Sequence, residues 1–343
     1  MAWFTSAIEQ GSEEPPDPAS SNSLGCQEGS VGITNKVKSN MQSDHAPLQN
    51  IAINESLARL LVAAQFPQWA ELPIKPVELS GWDNRTFHLG ENMSMRLPSA
   101  AQYAAQVEKE QHWLPKLAPF LPLSIPTPLA MGNPDKNFPW HWSIYRWLEG
   151  ENATKENVGD LQEFGTALAQ FLLALQKIDT AGGPPPGQHN FFRGGSLNVY
   201  DDETRNSMIA LRGMIDSDIA TKVWEAAINA KWHGKPLWLH GDFAAGNLLV
   251  KNGRLNAVID FGGLGVGDPA CDLTIAWTFL SGASREAFIK TIGFDSATWA
   301  RARGWALWKA LITVVEYIET DIQKSTNAKY VIDEVLDDEK LSN

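Results

Sequence analysis

Cysteine is scarce: Cys26 and Cys271 are the only two in 343 residues. That is too few for a disulfide framework and points to a reducing, cytoplasmic setting. Long apolar runs are missing as well. None approaches the roughly 18 residues of a membrane span, so no membrane partner is expected. The N-terminal segment has no basic stretch followed by an apolar one, so a secretory signal is not expected either. Basic residues are in deficit, 28 Lys and Arg against 40 Asp and Glu, for a net charge of −12. A nucleic-acid binder needs a basic face, which makes nucleic acid an unexpected partner. What the chain has in plenty is tryptophan, 14 residues, each able to bury much area in a core. With 43% apolar and 20% charged residues the composition is globular, and the length suits two domains or two lobes of one.

Residues 1–48 stand apart. They are rich in Ser, Asn, Gln and Gly, and six acids against two lysines leave −4 of the total charge there. This reads as a disordered tail, with Met41 near its end as the expected natural start. Order begins at Asn54, a cap for a helix over 55–65. Strand signals follow at 77–79, 85–89 and 93–97, and Ser99 is the expected cap of a helix over 100–117. A Pro-rich stretch, 119–139, contains one strand, and 140–147 forms another. The remainder reads as mainly helical: 157–178, 201–214, 218–231, and a long helix over 297–322, with a Gly/Pro-rich insertion at 182–200 and an acidic end at 333–339 that is either a solvated helix end or frayed. Two strands, 247–251 and 254–259, flank Asn252-Gly253, a strong hairpin signal.

The chemistry concentrates at His240-Gly241-Asp242, then Asn247, then Ile259-Asp260-Phe261-Gly262. Phosphoryl transfer from a nucleoside triphosphate needs one carboxylate to accept the proton of the attacking hydroxyl. It needs a second carboxylate and a neutral oxygen to hold Mg²⁺ against the phosphates. Asp242 is the candidate base, and Asn247 and Asp260 are candidate metal ligands. The hairpin between them lets residues far apart in sequence share one metal.

Together with Gly267-Asp268-Pro269-Ala-Cys-Asp272-Leu, these motifs resemble the aminoglycoside phosphotransferase-like branch of the protein-kinase-like superfamily, over about residues 54–320. The resemblance implies an α+β, bilobal kinase-like fold. A small antiparallel-sheet lobe, 49–147, would bind nucleotide, and a mainly helical lobe, 148–343, would bind the acceptor. It implies ATP or GTP with Mg²⁺, and a small-molecule hydroxyl acceptor of the aminoglycoside-antibiotic type. A macrolide-type acceptor, a housekeeping amino alcohol or sugar, and a non-catalytic nucleotide binder remain as alternatives. It also marks Ser80, Gly81 and Asn84 as a phosphate cover, which is not a G-x-G-x-x-G loop. Arg96 stands on the third strand where most relatives carry Lys, with Glu110 chosen as its partner and Glu108 as the open alternative; the two acids point about 200° apart on a helix, so only one of them can fill the role. Trp147 falls in the hinge that would hold the purine. Asp268 reads as a helix cap, Asp272 as an acceptor for the catalytic loop, and His240 as a turn residue. Trp305 and Trp308 read as core, with a substrate wall as the alternative, and Glu316 and Glu319 as one solvated helix face, with ammonium binding as the alternative. Nothing in the sequence speaks to oligomeric state.

Overall fold

The computed structural model describes residues 51–78, 81 and 83–342. The expected disordered tail, the Met41 start and the cover residue Ser80 lie outside the described residues. The first helix, α1 (Glu55–Gln65), starts where Asn54 Oδ1 accepts the Leu57 amide at 3.0 Å. Five strands then build one antiparallel sheet: β1 (Ile74–Pro76), β2 (Asn84–Leu89), β3 (Met93–Pro98), β4 (Pro128–Gly132) and β5 (Trp142–Arg146), in the order β1-β2-β3-β5-β4. The first strand lies at 74–76, not at the expected 77–79. Ile74 pairs with Leu89 and is buried, and the pairing runs to Pro76 opposite Phe87, after which the Val77 amide still reaches Thr86 O at 3.0 Å. At the other edge Gly132 faces Trp142 across the ladder, and a Cβ there would lie 1.9 Å from the indole. Only glycine lets that ring lie flat on the strand.

Between β3 and β4 runs α2 (Ala101–Leu117). Ser99 is not its cap. The Ser99 amide bonds Asp83 O at 2.9 Å, extending the β2–β3 ladder, so the helix begins one residue later without a side-chain cap. A short strand, β6 (Glu151–Asn152), leads to α3 (Leu161–Gln176), whose cap is Asp160. Asn157 instead closes a turn with Thr154. Two helices, α4 (Asp201–Ala210) and α5 (Ser217–Asn229), precede β7 (Leu237–Leu239), β8 (Leu248–Lys251), β9 (Arg254–Val258) and β10 (Gly265–Gly267). The hairpin β8–β9 turns at Asn252 and Gly253, with φ of 53° and 77°, the left-handed pair that Asn-Gly favours.

The chain closes with α6 (Ile275–Thr278), α7 (Gly282–Ile292), α8 (Ser296–Tyr317) and α9 (Ile322–Ser342). The long helix therefore stops at Tyr317, and Glu319 falls in the turn beyond it, off the Glu316 face. Of the two expected alternatives, residues 333–339 are helical and not frayed, with only part of their surface in solvent. Val335 and Leu336 are buried, and Asp338 and Glu339 pair with Arg303 of α8. One core joins these helices around Trp224, Trp238, Trp277 and Trp305, all essentially inaccessible. By area each such ring contributes on the order of 4–6 kcal/mol.

Candidate active site

Strand β7 delivers the chain into His240-Gly241-Asp242, a turn held from three sides. Asp272 accepts the His240 amide at 2.7 Å and the Gly241 amide at 2.8 Å. The His240 ring is fully buried against Phe261, and its Nε2 lies 2.9 Å from Ile259 O. Its Nδ1 accepts the Asp242 amide at 3.2 Å. Those two bonds assign the neutral tautomer with the proton on Nε2, so His240 serves the turn. Gly241 adopts φ 84°, and a Cβ there would lie 2.1 Å from Gly263 O.

Asn247 closes the loop. Its Nδ2 donates to Asp242 O at 2.8 Å and to Asp242 Oδ2 at 3.0 Å, which orients the carboxylate and turns the amide oxygen of Asn247 away from it. Across the hairpin the Ile259 amide donates to Asn247 O at 2.9 Å, so Asp260 emerges beside Asn247 although 13 residues follow it in the chain. Asp260 sits in the left-handed region, φ 64°, a conformation Asp tolerates better than most residues.

Arg96 joins the sheet to this hairpin. Its Nη2 lies 2.9 Å from Asp260 Oδ1, and its Nη1 lies 3.5 Å from Glu110 Oε2 on α2. Burial alone would raise the Asp260 pKa; the Arg96 charge and hydrogen bond outweigh it and hold the carboxyl below its usual range. Burial likewise opposes the Arg96 charge, yet Glu110 and Asp260 hold its pKa above the ordinary value. Glu110 is buried and also accepts the Tyr145 hydroxyl, while its Oε1 has no partner among the described residues. Glu108 faces elsewhere, 3.4 Å from His141.

The remaining sequence candidates are placed less directly. Gly81 accepts Arg85 through its carbonyl, and Asn84 is buried as the first residue of β2. The Trp147 amide is already bonded to Asn92 O at 2.8 Å and its ring packs on His88, so that N–H is not available to a purine. Asp268 caps the turn that follows β10 and pairs with Arg301 at 2.6 Å.

Four residues escaped the sequence reading. Asp83, between β1 and β2, has its pKa raised by burial and then by Asp260, with Asp242 also contributing. A lone carboxylate in a short loop carries no signal by itself; its place beside Asp260 depends on the packing of the sheet against the hairpin. Lys109, next to Glu110, donates to Gly262 O at 2.6 Å, and burial pushes its pKa down to about 8. Arg193, from the Gly/Pro-rich insertion, donates to Gly241 O at 2.9 Å. Lys309, on α8, lies within electrostatic reach of Asp242. Neither of the last two belongs to a local motif.

The donors suit a hard cation. Asp260 offers a carboxylate and Asn247 a neutral amide oxygen, and among the described residues no three His, Cys, Asp or Glu side chains form a metal cage. A site with so few protein ligands fits Mg²⁺, which keeps waters and takes oxygens from substrate phosphates.

The description "phosphotransferase enzyme family" applies to the sequence model that matches residues 73–305. The chain belongs to this phosphotransferase family. Solved structures share the fold at low identity. The GDP complex of an aminoglycoside 2'-phosphotransferase-IIIa is 17% identical with a TM-score of 0.65, covering 83% of this chain and 99% of the other. The GDP and kanamycin complex of APH(2")-IIia is also 17% identical, TM-score 0.62, with the same coverage. The macrolide 2'-phosphotransferase MphH from Brachybacterium faecium is 20% identical, TM-score 0.52, covering 80% and 97%. Comparison with curated proteins finds no match. A phosphotransferase-family chain with this kinase-like fold is a phosphoryl-transfer enzyme.

Proposed function

We propose that the enzyme moves the γ-phosphoryl group of ATP or GTP to a hydroxyl of a small molecule, in the presence of Mg²⁺. One observation carries this reading: the Asp242 carboxylate is pinned by Asn247 at the start of the same hairpin that ends in Asp260, and Asp260 is held by Arg96. In this reading Asp242 Oδ2 stays with Asn247, and Oδ1 accepts the proton of the acceptor hydroxyl as its oxygen attacks the γ-phosphorus. Asp260 and the Asn247 amide oxygen would hold Mg²⁺, which would supply charge neutralisation at the phosphates. Arg96, oriented by Glu110, leaves Asp260 for the phosphate oxygens, and its planar fork suits them. Gly81 approaches the phosphates through its backbone. The hinge near Trp147 receives the purine through groups other than the Trp147 amide. Catalysis comes from positioning and electrostatic stabilisation. Dependence on a nucleoside triphosphate suits the cytoplasm.

Two acceptor classes compete. Structural neighbours are named as aminoglycoside and macrolide enzymes, which favours an antibiotic and a resistance role. Two cations on the helical side, Arg193 against Gly241 and Lys309 near Asp242, disfavour a polycation and support a housekeeping alcohol instead. A coupled ADP-release assay over aminoglycosides, macrolides, amino alcohols, sugars and hydroxy acids separates them. Asp242→Ala should abolish turnover on every acceptor and spare nucleotide binding; turnover that survives the substitution overturns the mechanism.

A further inference from the structure

We propose that Lys309 and Arg193 form an anion subsite beside Asp242, so that the acceptor is a hydroxyl compound carrying an oxyanion, a carboxylate or a phosphate. The inference rests on the phosphotransferase reading for the word acceptor, but the site itself is defined by side chains. Arg193 is buried, and its guanidinium carbon lies 5.0 Å from the Trp305 ring centre and 5.1 Å from that of Trp308. The two rings that read as core in the sequence are therefore the cradle of a cation. Tyr200 stacks on Trp308 at 3.8 Å, and Trp308 Nε1 donates to Glu203, so the cradle is itself fixed. Arg193 Nε is spent on Gly241 O, while Nη1 is buried with no partner among the described residues.

Lys309 follows Trp308 on α8 and brings a second positive charge to the same place. Among the described residues its ammonium makes no hydrogen bond and no ion pair, and neither does Arg193 pair with a carboxylate. Burial and then the Arg193 charge push the Lys309 pKa down to about 8, against the opposing pull of Asp242, Glu316 and Glu203. Two neighbouring cations with no ion-pair partner among the described residues are an arrangement that an anion relieves, although Asp272 lies within electrostatic reach of Arg193 and Asp242, Glu203 and Glu316 within that of Lys309. The nucleotide does not account for it. The cations on that side are Arg96, which reaches out from the sheet to Glu110 and Asp260, and Lys109, bonded to Gly262 O. Lys309 comes from the helical region, one residue after Trp308 on α8, and lies within electrostatic reach of Asp242. An oxyanion seated on Lys309 would fix one end of the acceptor and leave its hydroxyl to Asp242. A polyammonium acceptor would meet like charge at the same position.

The test reads Lys309 directly and needs no turnover. The full chain, saturated with ADP to fill the nucleotide end, is treated with an acetylating reagent, and the rate at Lys309 is followed by peptide mass spectrometry. The probes are glycerate for the carboxylate, glucose 6-phosphate for the phosphate, glycerol and glucose as their neutral counterparts, and kanamycin as the polycation. Several-fold protection by either anion, absent with its neutral counterpart and with kanamycin, is the expected result, and which anion protects identifies the oxyanion. Protection by kanamycin alone, equal protection by the neutral compounds, or no protection by any probe overturns the proposal. Lys309→Arg should bind the protecting anion, measured by calorimetry, and Lys309→Gln should not; equal binding by both also overturns it. The Asp242→Ala kinetics decide the phosphotransferase reading separately, so either can fail without the other.

Discussion

Deleting the Arg96 side chain should damage both stability and turnover, and the two losses can be separated. At an effective dielectric constant of about 20, one pair at 2.9 Å and one at 3.5 Å correspond to roughly 6 and 5 kcal/mol of gross Coulomb attraction. Desolvation of three charges offsets most of it. What remains on deletion is the cost of leaving Glu110 buried with only the Tyr145 hydroxyl, and removing one member of a buried pair costs about 3–5 kcal/mol. Asp260 is more accessible and escapes part of this penalty, so about 3 kcal/mol is expected for Arg96→Ala. Urea unfolding of the nucleotide-free protein measures it. Adding Glu110→Gln removes the stranded charge and should recover roughly half of the loss. Turnover should behave differently. Loss of a preorganised charge at the phosphates costs on the order of 10²–10³ in kcat, and Glu110→Gln in the double variant restores none of it. Arg96→Lys keeps the charge but has one nitrogen for two partners, so its kinetics should fall between. Arg96→Ala with kcat/KM for nucleotide within about twofold of wild type would refute the assignment, and so would a double variant whose activity returns together with its stability.

Three further outcomes follow from the same geometry. Gly241→Ala places a Cβ against Gly263 O in a left-handed backbone; strain and overpacking together should cost about 2–5 kcal/mol and most of the activity, read by urea unfolding and ADP release. Arg301→Ala strands the buried Asp268 carboxylate, whose pKa burial already raises despite its partner, and should lower stability by about 3–5 kcal/mol, or on the order of 10 °C in Tm; a shift of about 2 °C or less would show the pair to be dispensable. An acidic acceptor should lose affinity as pH rises through about 8, where Lys309 gives up its proton among Arg193, Asp242, Glu203 and Glu316, whereas a neutral acceptor should show no such step in KM.

Local features were the legible ones. The spacing from Asp242 to Asn247 lies in one loop, and the Asn252-Gly253 turn and the arrival of Asp260 belong to the hairpin that follows it, where backbone conformation is set by neighbouring residues. Helix caps with a side chain that can reach two or three residues ahead were equally readable at Asn54 and Asp268, whereas Ser99 failed because its amide had joined a ladder with Asp83. The strands β7 and β10, three residues each, carry too little alternation to announce themselves and exist because each pairs with the other.

The sequence by itself determined that Asp242, Asn247 and Asp260 meet in one loop and the hairpin after it, because their spacing is a property of the chain. Only the tertiary structure decided that Arg96 reaches Asp260 across 164 residues, that Asp83 stands near both site carboxylates, and that Trp305 and Trp308 hold Arg193 under the catalytic loop. Those contacts depend on how a sheet, an insertion and α8 pack around a shared core. Such packing answers to volume and charge summed over many residues, and no short stretch of sequence contains it.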